Sequence, residues 1–124
     1  MTILYEDNHL LVVLKPVGVL SQSDGTSQDD MISILKDYLK VKYHKPGNVY
    51  LGLVHRLDKE VGGVMVYAKT TKAARRLCEQ IRLHQVEKFY FAVVEGTPPL
   101  KGEMIDYLTR TEYRSIIGTK ETGK

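Results

Sequence analysis

Three short segments of this chain hold residue types that could do chemistry. The first is Val54-His55-Arg56-Leu57-Asp58. The apolar stretch Tyr50 to Val54 reads as a strand and Gly62-Gly63 as a break. Asp58 therefore stands where a strand gives way to a loop, a place where a rigid element can aim a side chain. Arg56 lies two residues away and Lys59 is adjacent, and nearby cations keep a carboxylate ionised. An ionised Asp is a nucleophile or a base. The same residues also suit a surface ion pair or a turn cap.

The second segment is Lys88-Phe89-Tyr90-Phe91-Ala92. In a strand, alternate residues share a face. Lys88, Tyr90 and Ala92 then point one way, and Phe89, Phe91 and Val93 the other, as a core face would. A ring beside a cation suits an unstacked base and its phosphate; it also suits a half-exposed strand. The third segment is Lys15-Pro16-Val17-Gly18. Lys15 could meet a phosphate or merely flank a turn, and Gly18 supplies a backbone conformation that other residues avoid.

These segments need elements to hold them, and the chain alternates strand and helix patterns. Leu10 to Lys15 is a buried strand ended by Pro16 and Gly18, with Val19 to Gln22 as a second short strand. A helix starts near Ser27, which with Asp30 resembles a capping box. Ile32, Leu35 and Leu39 carry it at helical spacing, with Met31 and Ile34 beside them. His44 to Asn48 is a loop and Val64 to Ala68 a strand. Thr70 or Thr71 caps a helix to about Leu83 with Ala74, Leu77, Cys78 and Ile81 as its apolar stripe and Arg75, Arg76 and Arg82 more exposed. Val86 to Glu95 is the clearest strand in the chain. Gly96 to Leu100 is a turn. Met104 to Thr109 and Tyr113 to Ile117 are weaker strands, and Gly118 to Lys124 is a polar loop.

The chain has 124 residues, 43% of them hydrophobic, and a net charge of +3. That fits one domain with a real core and permits RNA binding without demanding it. The single cysteine, Cys78, cannot form an internal disulfide and reads as a small buried residue. The four histidines are scattered without metal-ligand spacing. No signal peptide or membrane-spanning stretch is evident, which points to the cytoplasm.

Taken together and in order, the three segments resemble the RluA family of pseudouridine synthases. The family's Lys-Pro-x-Gly is met by Lys15-Pro16-Val17-Gly18, and its His-Arg-Leu-Asp by His55-Arg56-Leu57-Asp58. Its small-residue break and Ala-Lys-Thr strand end are met by Gly62-Gly63 and Ala68-Lys69-Thr70. Its Lys-x-Tyr-x-Ala-x-Val-x-Gly strand is met by Lys88, Tyr90, Ala92, Val94 and Gly96. The match runs from about Leu10 to Gly96.

The resemblance implies an α+β fold, a mixed, mainly antiparallel sheet with flanking helices. It implies an enzyme without metal or organic cofactor that detaches uracil from ribose C1′ in ribosomal or transfer RNA, turns the base and rejoins it through C5. Asp58 would be the catalytic carboxylate, acting on the sugar as a nucleophile or on a ribose proton as a base. Tyr90 would stack on the uracil, Arg56 would hold the flipped-out geometry, and Lys88 would bind substrate. Lys15 and His55 would be RNA or structural contacts.

The chain departs from the family pattern at two places. Gly62 stands where a hydroxyl residue is usual. The family's later Gly-Arg-x-His-Gln-Ile-Arg strand is not found, so residues 1–124 are expected to be the N-terminal part of a catalytic domain, its C-terminal portion missing. The alternative reading is a non-catalytic RNA-binding remnant of the same fold. An interaction domain using exposed Tyr and Phe surfaces is a third class. A glycosidase would need a second carboxylate opposite Asp58, and Glu60 is too near in sequence to face it.

Overall fold

Leu10 to Lys15 is an apolar run, and the two-residue repeat of a strand sends Leu11 and Val13 to one side and Val12 and Leu14 to the other. In the computed structural model, which describes residues 1–110 and 115–118, that strand is β2 (Leu10–Lys15). It pairs antiparallel with β1 (Thr2–Glu6) on one edge and β4 (Gly63–Ala68) on the other. The two-residue β3 (Gly52–Leu53) pairs antiparallel with β4, giving the order β1-β2-β4-β3. The register sets Leu11 opposite Tyr67 and Val13 opposite Met65. All four are fully buried, and α1 (Met31–Lys42) lays Met31, Leu35 and Leu39 over them. α2 (Thr71–Arg82) packs at the β3 end of the sheet. A Cβ on Gly52 would come within 3.1 Å of the Ala74 Cβ, so the close approach of helix and strand needs a glycine there. A separate hairpin of β5 (Tyr107–Arg110) and β6 (Ser115–Gly118) follows.

The described strand ladders are antiparallel, joined by one isolated parallel bridge between Leu20 and Asp30. The fold is therefore α+β with flanking helices, as expected. Met1–Lys88 and Phe89–Lys124 form two compact units. No helix among the described residues is long and apolar enough to cross a membrane.

Several sequence expectations shift. The first helix is capped by Asp30, whose carboxylate accepts from the Ser33 N–H at 3.0 Å, not by Ser27. Of the Val19 to Gln22 strand only the Leu20 bridge forms. Cys78 is exposed: Ala74, Leu77 and Ile81 make the half-buried stripe of α2, and Cys78 lies beside it on the open flank. Val86 to Glu95 forms no strand; Phe91 and Val93 are fully exposed. Alternation makes a segment fit a pleated surface, but a strand exists only when a neighbour takes its backbone hydrogen bonds. No neighbour does so here among the described residues. The two weaker strands form as β5 and β6, with Tyr113 and residues 119–124 outside the described residues.

Sequence reading passed over β1, whose last residue anchors the sheet edge to α1. The Glu6 carboxylate accepts from Tyr38 and Tyr43 hydroxyls and from the Lys42 and Lys69 ammoniums, at 2.6 to 2.8 Å. Burial pushes the Glu6 carboxyl up, but the four donors outweigh it and hold it well below the usual carboxylate range. A carboxyl lowered on folding contributes stability above its unfolded pKa of about 4.3 and loses it as pH falls further. Glu6→Gln should cost about 2–3 kcal/mol at neutral pH. It should also flatten the loss of stability below pH ~4, read from urea melts across pH. An unchanged acid limb would assign that limb to other carboxylates.

Candidate active site

Asp58 lies in the loop between β3 and β4, in a turn closed by the Val61 N–H donating to the Asp58 carbonyl at 3.0 Å. Three ties fix this loop. The Ser21 hydroxyl takes both backbone groups of Leu57: it accepts from the N–H at 3.0 Å and donates to the carbonyl at 2.6 Å. Ser21 is itself 4% exposed, and its carbonyl accepts from the buried Tyr67 hydroxyl of β4 at 3.1 Å. The Gly18 N–H donates to the Lys59 carbonyl at 2.8 Å. Gly18 has φ +91°, the left-handed region that favours glycine. Lys15 provides the third tie. Its side chain is 1% exposed, and its ammonium donates to the carbonyls of Pro16, Val19 and Lys59. The residues on both sides of Asp58 are thus held from β2 and the turn that follows it.

Lys15 is therefore a clamp between the Lys-Pro turn and the Asp58 loop, and its buried ammonium is turned inward rather than toward a phosphate. Burial pushes its pKa down, while the charges of Glu60 and Asp58 pull it back up. Gly62 closes the other side of the loop. A Cβ there would meet the Lys15 carbonyl and the Val17 Cγ2 at 3.3 Å each, so the glycine allows close packing where a larger residue would push the turn away.

His55 is also turned to the framework. Its Nε2 accepts from the Val66 N–H of β4 at 3.0 Å, which makes the ring neutral with its proton on Nδ1. Burial, then the charge of Lys88, holds its pKa below the usual histidine value and keeps the acceptor available. Arg56 and Asp58 are exposed and form no ion pair with each other or with another described residue. Asp58 is exposed on a loop whose backbone is held, so a rigid frame presents its carboxylate. Lys88 is exposed within the first unit, while Tyr90 belongs to the second, where its ring is exposed. Ser21 and Tyr67 went unnoticed in the sequence, where a serine among loop residues and a tyrosine among strand residues carry no signal of pairing.

Residues 9–123 match the family described as RNA pseudouridylate synthase. The chain belongs to this family. It is 36% identical over 113 residues to ribosomal large subunit pseudouridine synthase D of Zymomonas mobilis, covering 90% of this chain and 36% of that protein. Synthase C of Buchnera aphidicola, named for the same ribosomal subunit, is 40% identical over 97 residues, covering 78% of this chain and 29% of the relative. Human RNA pseudouridylate synthase domain containing 4 superposes with a TM-score of 0.57 at 32% identity, over 68% of this chain and 30% of the human one. The chain thus spans about a third of the length of the curated relatives it matches. Within this chain, the Lys-Pro-x-Gly and His-Arg-Leu-Asp segments are two halves of one clamp. Lys15 and Gly18 of the first both donate to Lys59, next to Asp58.

Proposed function

We propose that this chain carries the catalytic carboxylate of an enzyme that isomerises uridine to pseudouridine in RNA. The observation that supports it most is Asp58 itself, open to solvent on a loop tied at Leu57 and at Lys59. In this reading the target uridine leaves its stack, because a stacked base cannot turn about its own sugar. The N1–C1′ bond breaks with Asp58 acting at the ribose, either on C1′ or on a ribose proton. The uracil rotates and C5 bonds to C1′ as Asp58 leaves the sugar or gives its proton back; the C5 proton then leaves to solvent and N1 takes one up. Arg56 holds the flipped-out geometry, Tyr90 stacks on the uracil and Lys88 meets the backbone. Ser21, Lys15 and His55 keep the loop in place.

The names of the relatives support large-subunit ribosomal RNA as the substrate, with transfer RNA as the other class to test; a cytoplasmic setting belongs to the same proposal. A second reading, an RNA-binding platform without turnover, draws on the exposed segment around Tyr90, which lacks a strand neighbour among the described residues.

RNA labelled with tritium at uracil C5 separates the two. The expected result is release of label to water with matching growth of pseudouridine in the digested product. Retained label, with RNA bound in a salt-dependent way, would favour the platform.

A further inference from the structure

β4 has a second functional end. Its first residue, Gly63, adjoins the Asp58 loop, and its last, Ala68, leads into Lys69. Six residues at about 3.3 Å each put the two ends on the order of 20 Å apart. At the Lys69 end lies a cleft of about 220 Å³ lined by Asn8, Leu39, Tyr43, Lys45, Tyr50 and Lys69, among others. The ring of Tyr43 is surrounded by cations, with the ammoniums of Lys69, Lys42 and Lys45 at 4.9, 5.4 and 6.0 Å from its centroid. One carboxylate, Glu6, is bonded into this group, and it engages Lys42 and Lys69. Three lysines against one glutamate leave an excess of two positive charges. Nearby Asp7, which accepts from the His9 and Leu10 N–H groups, keeps its negative charge and lowers the local excess to one.

The Glu6 network accounts for Lys42, Lys69, Tyr38 and Tyr43 as fold elements. It does not account for Lys45 or Tyr50. The Lys45 ammonium makes no hydrogen bond or ion pair among the described residues and reaches only the Tyr43 ring. Tyr50 keeps its ring 45% exposed, with its hydroxyl over Gly52, where a Cβ would come within 2.8 Å of it. Two half-exposed tyrosines beside a cation that the fold does not use match the way single-stranded nucleic acid is held, by stacking on rings and charge on the backbone. At about 220 Å³ the cleft is below the roughly 300–1,000 Å³ of a site that encloses a small molecule, so it suits a base laid against the surface with the rest of the strand outside.

We propose that this cleft binds one unpaired nucleotide of the RNA flanking the target uridine, with its base on Tyr43 and Tyr50 and its phosphate at Lys45. The proposal rests on the RNA-modifying reading of the Asp58 site and adds to it a second contact at the far end of the same strand.

The test is fluorescence anisotropy with a 5′-labelled single-stranded oligoribonucleotide and the whole chain. Lys45→Ala should weaken binding several-fold and lower the slope of log affinity against log salt by about one. Tyr50→Ala should weaken it about tenfold with the slope unchanged. Tyr50→Phe, which keeps the ring, should bind as the parent does. Lys36→Ala, outside the cleft, is the matched control. Parent-like binding in both alanine variants, or an equal loss in the control, would overturn the cleft. Tritium release measured in parallel separates the two ideas. Release with parent-like binding in the variants removes the cleft and keeps the synthase reading. Weakened binding in the variants without release from the parent does the reverse.

Discussion

Asp58→Asn is expected to lower pseudouridine formation by about 10⁴-fold or more, while the fold and RNA affinity stay near those of the parent. The magnitude is that of removing an essential carboxylate from a catalytic set. The substitution keeps the shape of the side chain and removes only its charge and basicity, so a neutral amide can neither add to C1′ nor take a proton. The loop has no reason to move. The hydrogen bond closing the turn uses the Asp58 backbone carbonyl, and the loop's other ties fall on Leu57 and Lys59. Stability should therefore change by no more than about 0.5 kcal/mol, as for a surface position. The check is single-turnover tritium release beside an anisotropy titration and a thermal melt. Residual turnover at a tenth of the parent rate would remove Asp58 from the catalytic role, and a large fall in stability would make it structural.

What could be seen in the sequence divides along a physical line. Burial leaves a pattern in residue types, and that pattern found β2 and β4 as apolar runs and α1 and α2 as helical stripes; in α1 the stripe of Ile32, Leu35 and Leu39 was seen, and the buried face is Met31, Leu35 and Leu39. Partnerships leave no such pattern. The 86–95 segment carries strand alternation, yet its pairing depends on a neighbour that alternation does not name. The same limit applied at the site. Type and setting singled out Asp58 as the candidate carboxylate, and family likeness raised its weight. The roles of Lys15 and His55 were not legible, because a lysine next to a turn looks alike whether its ammonium faces a phosphate or three carbonyls. Only the fold brings the Lys59 carbonyl, 44 positions along the chain, to within 3.2 Å of the Lys15 ammonium.

That contact gives the second large effect. Lys15→Met keeps a stem of similar length in the same buried space and removes the ammonium. The Pro16 and Val19 carbonyls then lose the donor that satisfied them, while Lys59 keeps its bond from the Gly18 N–H. Buried acceptors left without a donor cost about 1–3 kcal/mol each. Relief from burying a charge offsets part of that, leaving a net loss of about 2–3 kcal/mol and a fall in melting temperature of about 10 °C. The effect on turnover should exceed what instability explains. With Lys15 gone, the loop keeps its ties to Ser21, Gly18 and His55 but loses the one from the buried ammonium, and a displacement of about 1 Å at a reacting group costs on the order of 10²-fold. Assayed well below its melting temperature, the variant should keep its RNA affinity and lose kcat, because the inward-facing ammonium contacts protein carbonyls and not substrate. A loss of affinity with kcat preserved would place Lys15 on the RNA after all, whereas equal losses in folded fraction and rate would reduce it to a fold residue. A kcat deficit in fully folded protein is the signature of a clamp, because it separates holding Asp58 in place from holding the chain together.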